Sequence, residues 1–201
     1  MSFVNLRERI VQVKIVYYGP GRGGKTTNLE YINKKFQKQI QSEMVSLKTH
    51  GDRTLFFDFL PFDMEQIKGY DLKIQLYTVP GQVKYNATRK LVLKGVDGIV
   101  FVADAQEQMR EKNIRSLNQL HENLVEYNES IFRLPLVLQY NKVDLRNQGI
   151  PILPTAILEK DLNSKLKAPH FEASAITGYN VPETLKKIIS LTVLSIQKKL
   201  M

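Results

Sequence analysis

The chain has 201 residues, 43% hydrophobic and 24% charged, with 29 Lys and Arg against 20 Asp and Glu, a formal net charge of +9. That length and composition suit one soluble globular domain over residues 1–201 and exclude a fibrous or low-complexity chain. The lack of cysteine excludes disulfides, thiolate metal sites, prenylation and palmitoylation, and no apolar run is long enough to span a bilayer. A cytoplasmic protein with no integral membrane segment or lipid anchor is expected. The basic excess is scattered, as in Lys34, Lys35, Lys38, then Lys84, Arg89, Lys90 and Lys94. Without an aromatic-interleaved basic block, no nucleic acid partner is expected, and a solvated surface around a polyanionic ligand is the simpler account.

Val11 to Tyr18 is a β-branched and aromatic run that predicts a strand. The next eight residues, Gly19-Pro20-Gly21-Arg22-Gly23-Gly24-Lys25-Thr26, fit the spacing glycine, four residues, Gly-Lys-Thr of a phosphate-binding loop. Glycines let the backbone turn several N–H groups into one concavity, and a helix beginning near Lys25 adds its own N–H groups and dipole. Lys25 brings a point charge to the β- and γ-phosphates, and the Thr26 hydroxyl is suited to Mg²⁺. Thr27 continues the first turn. Leu29, Ile32 and Phe36 then recur at helical spacing. Arg22 is bulkier than most residues at its place in such a loop, and nothing in the sequence explains it.

Residues 38–53 are polar and without period, as in a mobile connection. Residues 55–60 read as a strand ended by Pro61-Phe62-Asp63. Residues 71–77 alternate polar and apolar, which predicts a strand antiparallel to the previous one at a sheet edge. Thr78-Val79-Pro80-Gly81-Gln82 follows at its end; the Gly81 N–H suits a γ-phosphate and the Gln82 amide suits orientation of an attacking water. Residues 98–103 form a continuous apolar run typical of a central strand. Ile114, Leu117, Leu120, Leu124 and Tyr127 mark one face of a long helix, and residues 135–140 read as another buried strand.

Asn141-Lys142-Val143-Asp144 leaves that strand's carboxyl end, where ligands of open α/β sheets lie. The Asp144 carboxylate can accept from both N1–H and the 2-amino group of guanine, a donor pair adenine lacks. Asn141 and Lys142 support the base pocket. A weaker helix is expected over 154–166 and a short strand over 171–173. Ser174-Ala175-Ile176 then offers a backbone N–H to the guanine carbonyl. Asn180, Pro182 and Glu183 open a last helix with Leu185, Ile188, Ile189 and Ile196 on one face. Strand and helix alternate throughout. The fold expected is an α/β P-loop NTPase, with a six-stranded mostly parallel sheet, helices on both faces and a possible extra N-terminal edge strand.

These four elements in this order resemble the small Ras-like GTPases over nearly the whole chain. The strings Tyr17-Tyr18-Gly19-Pro20-Gly21, Asp52-Arg53-Thr54-Leu55-Phe56-Phe57-Asp58-Phe59 and Tyr77-Thr78-Val79-Pro80-Gly81-Gln82 are similar to the bacterial mutual gliding-motility GTPases (the MglA family). The resemblance implies Lys25 and Gln82 as catalytic groups, and Arg53 as an intrinsic arginine finger beside Thr54, the γ-phosphate and Mg²⁺ sensor. It implies switches at 42–60 and 78–94, bound GTP or GDP with Mg²⁺, a roadblock-family activating protein and polarity or motility effectors. Most Ras-like proteins carry Asp where this chain has Thr78, so a metal-facing carboxylate is missing. Asp58 either compensates through water or is a solvent-exposed strand residue. The nucleotide contacts expected are Gly19, Gly21, Arg22, Gly23, Gly24, Lys25, Thr26, Thr27, Gly81, Asn141, Lys142, Asp144, Ser174, Ala175 and Ile176, with metal oxygens from Thr26 and Thr54. A switch with negligible hydrolysis and an RNA- or ribosome-associated GTPase stay open as alternatives.

Overall fold

On the strand β2 (Ile10–Tyr18), Val13, Ile15 and Tyr17 are buried in one apolar cluster and Val16 and Tyr18 in another. A strand apolar on both faces belongs in the middle of a covered sheet, and β2 occupies that place. The protein is described here from a computed structural model, which covers the backbone of residues 3–5, 9–37, 45–49, 53–67, 70–81 and 85–199, and the side chains of residues 9–37, 71–81 and 85–198.

The other strands are β1 (Phe3–Asn5), β3 (Val45–Thr49), β4 (Arg53–Ile67), β5 (Tyr70–Thr78), β6 (Gly98–Asp104), β7 (Leu136–Asn141) and β8 (His170–Ala173), in the order β3-β4-β5-β2-β6-β7-β8. The five strands β5, β2, β6, β7 and β8 run parallel, and β4 and β3 continue the sheet antiparallel. Helices α1 (Lys25–Lys35) and α5 (Val181–Lys199) cover one face, where Leu29, Ile32, Leu185 and Ile188 meet Val100 and Val102. Helices α2 (Asn86–Leu93), α3 (Arg110–Val125) and α4 (Thr155–Leu158) cover the other, where Leu93, Leu120, Leu124 and Leu158 meet Phe101, Leu138 and Tyr140. Burying each such side chain contributes about 1.5–3 kcal/mol, so these two layers hold the sheet rigid. Because the central strands are parallel, their carboxyl ends share one edge: Asp104 is in register with Asn141, and Asn141 with Ala173.

Several sequence expectations change. Residues 45–49, assigned to an aperiodic connection, form β3, paired with β4 from Val45↔Phe59 to Thr49↔Arg53. Val45, Leu47 and Thr49 alternate with Ser46 and Lys48, a two-residue period too short to stand out. β4 does not end at Pro61 but runs on to Ile67, with Pro61 opposite Gln75 of β5. A proline is tolerated in a ladder where its nitrogen faces away from the partner strand. The described sheet therefore has eight strands rather than six. The extra N-terminal edge strand is present as β1, which pairs with Ile10–Gln12, the part of β2 below its pairing with β6, which starts at Ile15. Residues 154–166 are only partly α-helical, since α4 widens after Leu158 into a π turn over Glu159–Asn163. Among the described residues no helix is long and apolar enough to cross a membrane.

Candidate functional site

β2 ends in the buried Tyr18, and the chain turns through 19–24 before α1 starts at Lys25. Gly24 sits at the helix N-cap with φ 96° and ψ 20°. A Cβ there would collide with the amide nitrogen of Asn141, so both conformation and space demand glycine. Arg22 adopts a left-handed φ of 61° within the same turn. The first helical bond joins Asn28 N–H to the Gly24 carbonyl at 3.0 Å. A helix start directs its first-turn amides and the positive end of its dipole at whatever lies before it. Lys25 is buried and folds back over the loop, its Nζ donating to the Pro20 carbonyl at 2.7 Å and the Gly19 carbonyl at 3.1 Å.

A cavity of about 740 Å³ opens over this loop. Pro20, Gly21, Arg22, Gly24, Lys25, Thr26 and Thr27 line one end, and Asn141, Lys142, Asp144, Ala175 and Ile176 line the other. Its charge is divided. Asp144 is the one carboxylate among the described lining residues; its neighbour Lys142 is paired with Asp104, and Arg22, Lys25, Arg89, Lys112 and Arg115 lie along the remainder. Such a field suits a ligand with polyanionic and hydrogen-bond-donating ends. The Thr26 hydroxyl and loop amides form a hard oxygen and N–H environment, fitting Mg²⁺ and phosphate rather than a soft metal.

Asn141 fastens the two ends together. Its Nδ2 donates to the Gly23 carbonyl at 2.8 Å, and its Oδ1 accepts the Ala175 N–H at 2.8 Å. Lys142 has a left-handed φ of 72°, and its Nζ donates to Asp104 Oδ2 at 2.6 Å. Ser174 is buried behind the wall; its Oγ accepts the Thr177 N–H and holds the turn that presents Ala175 and Ile176. Gly19, Gly23 and Ser174 thus do not line the cavity but brace the residues that do.

After β5, Val79 and Gly81 complete the wall. A Cβ on Gly81 would collide with the main chain of Gly21, so the two loops touch through glycine backbones. Thr78 is fully buried and in register with Tyr17. Arg53, Thr54 and Asp58 lie on β4 opposite Thr49, Lys48 and Ser46, so Asp58 is well inside a 15-residue strand instead of near its end. The side chains of those three residues, and all of Gln82, lie outside the described residues.

Several contributors were not apparent from the sequence. Lys112, Arg115 and Ser116 reach the cavity from the polar side of α3. Arg89 of α2 is buried, and its guanidinium donates to Gln119 Oε1 at 2.9 Å and Asn86 Oδ1 at 3.3 Å. Asn123 bonds both Asn86 Oδ1 and the Tyr18 hydroxyl, which ties α2 to α3 and to the strand before the glycine loop. Burial pushes the Tyr18 hydroxyl up to about 12, against the opposing pull of Arg89 and of the Asn123 bond.

Comparison with known proteins agrees with this geometry. A model of the Ras family matches residues 14–193. The mutual gliding-motility protein MglA of Myxococcus xanthus (strain DK1622) is 47% identical over 198 residues, 98% of this chain and 99% of that protein. Ras-related protein Rab-27B of Rattus norvegicus is 26% identical over 92% of this chain and 82% of its own length. Rab7 of Prunus armeniaca is 25% identical over 90% and 81%. With the glycine loop and the Asn-Lys-Val-Asp turn lining one cavity, and with the family model covering nearly the whole chain, the chain belongs to the Ras family of small GTPases.

Proposed function

We propose that residues 1–201 form a single GTPase domain that binds GTP and GDP, hydrolyses GTP to GDP and phosphate, and signals cell polarity and motility through partners selective for the GTP form. The observation that carries the nucleotide assignment is the division of charge in one cavity, with Lys25 under the glycine loop and Asp144 at the far end. Guanine offers Asp144 two donors, and the phosphates meet Lys25 and the first turn of α1. Asn141 keeps the two subsites at a fixed spacing.

Thr26 and Thr54 would hold Mg²⁺ through their oxygens, and the ion would supply charge neutralisation to the phosphates. Asp58 is assigned a contribution through water, in place of the carboxylate that Thr78 does not supply. Gln82 orients the attacking water, and Arg53 compensates charge on the transferred phosphoryl group. The Gly81 N–H binds the γ-phosphate, so its presence or loss sets the order of residues 42–60 and 78–94. Hydrolysis is then a timer for a binding surface.

The 47% identity to a mutual gliding-motility protein across almost the full length of both chains supports the motility assignment. A roadblock-family activating protein and polarity effectors fit it, acting on a cytoplasmic switch drawn to a cell pole by those partners. The test is multiple-turnover phosphate release from GTP, alone and with a roadblock-family protein from the same cell. Marked stimulation supports the proposal. Tight GTP binding without stimulated turnover would favour a switch with negligible hydrolysis, and salt-sensitive RNA binding would favour a ribosome-linked role.

A further inference from the structure

Asp104 ends β6 at the carboxyl edge of the sheet, in register with Asn141, and is fully buried. A buried carboxylate is costly unless it is paired and hydrogen-bonded. Here both conditions hold. Its Oδ2 accepts Lys142 Nζ at 2.6 Å, its Oδ1 accepts the Gln106 N–H at 3.1 Å, and the Gln106 side-chain amide reaches both oxygens at 3.1 and 3.2 Å. The buried Asn113 on α3 fixes the main chain as well, accepting the Asp104 N–H at 3.0 Å and donating to its carbonyl at 2.8 Å. Six polar contacts therefore hold one residue that does not itself line the cavity, whereas Lys142 and Asp144 do.

We propose that Asp104 is a positioning residue for base selection: it holds the Lys142 ammonium away from Asp144, keeping the Asp144 carboxylate available to the base. The inference rests on the reading of Asp144 as the guanine acceptor. Lys142 and Asp144 are two residues apart on one turn. An ammonium released by Asp104 has Asp144 as the next acid along the chain. An ion pair there would compete with N1–H and the 2-amino group for the same oxygens. Turned towards Asp104 instead, Lys142 presents its alkyl stem to the cavity, an apolar surface for a purine ring. Preference for guanine over hypoxanthine, which lacks the 2-amino group, then depends on a residue the base never touches.

GDP and IDP are titrated against the full chain, the Asp104→Asn and Lys142→Met variants, and the double variant, with thermal melting recorded for each. The parent prefers GDP; a parent with no such preference overturns the Asp144 reading itself, and with it this inference. Asp104→Asn is expected to lower GDP affinity about tenfold and to bring the GDP:IDP ratio towards one. In the Lys142→Met background the same substitution should change neither, because there is no cation left to release. A parental ratio in Asp104→Asn, or an equal loss in both backgrounds, overturns the proposal. Should Asp104→Asn alone not fold, the double variant buries no unpaired charge and carries the comparison. Its ratio must match that of Lys142→Met, and a lower ratio counts against Asp104 acting through Lys142.

Discussion

The side-chain amide of Asn141 donates to the Gly23 carbonyl at 2.8 Å, so the end of β7 is fastened directly to the glycine loop 118 residues earlier. The same side chain accepts the Ala175 N–H. Asn141→Ala removes both partners at once and leaves a carbonyl and an amide buried without them, at about 1–3 kcal/mol each. The expected result is a lower Tm and weaker binding of both GDP and GTP. Isothermal titration with folded variant checks it; parental affinity would mean that the two loops hold their spacing without this residue.

Gly21 and Gly81 are in backbone contact, and a methyl group on Gly81 has no room against the Gly21 main chain. Overpacking of this kind typically costs about 1–3 kcal/mol. Gly81→Ala should therefore melt lower and bind GTP less well. Gly21→Val should still bind GTP but hydrolyse it slowly, so that nucleotide extracted after incubation is mainly GTP. Rapid conversion to GDP by Gly21→Val would argue against close approach of these segments during hydrolysis.

Arg53 and Gln82 are assigned to the chemical step. Arg53→Ala and Gln82→Leu are each expected to abolish activator-stimulated turnover while retaining GTP binding. Supplied arginine fingers are worth roughly 10³–10⁵ in rate. Single-turnover phosphate release measures this directly, and a stimulated rate within a few-fold of parent would remove either residue from the mechanism.

Tyr17 and Tyr18 make stability fall at high pH. Burial raises both hydroxyls, Tyr18 to about 12, whereas an unfolded tyrosine titrates near 10. Between those values the unfolded chain has released the proton and the folded chain retains it, so unfolding becomes easier as pH rises, by about 1.4 kcal/mol per unit for one such group. Tyr17→Phe should flatten that slope in denaturant titrations from pH 9 to 12. It should also stabilise the protein at neutral pH, since the Tyr17 hydroxyl is buried without a hydrogen-bond partner among the described residues.

Much of this site was legible in the sequence because its spacing is covalent. Gly19 to Thr26 form one uninterrupted stretch, and Asn141 to Asp144 another, so both could be placed at strand ends facing one cavity without knowing what packs where. The buried strands were legible for a different reason. Gly98 to Ala103 carries no polar residue, which only a strand covered on both faces tolerates. Asp104 was missed because its meaning depends on Lys142, 38 residues away in sequence; a charge closing an apolar run at a strand's carboxyl end was the available signal. Arg89 and Gln119 were missed for the same reason, as their bond crosses between two helices. The extent of β4 was misread because Pro61 was judged by local propensity, whereas its place opposite Gln75 is set by strand pairing.

The most direct test is equilibrium competition of GDP, ADP and XDP for the full chain and for Asp144→Asn, with Mg²⁺ present. The parent should bind GDP far more tightly than ADP or XDP. Asp144→Asn should lose GDP and gain XDP, because its amide N–H₂ can donate to the 2-carbonyl of xanthine where a carboxylate can only accept. Equal binding of GDP and ADP by the parent, or unchanged GDP affinity in Asp144→Asn, would contradict the assignment of that end of the cavity to guanine.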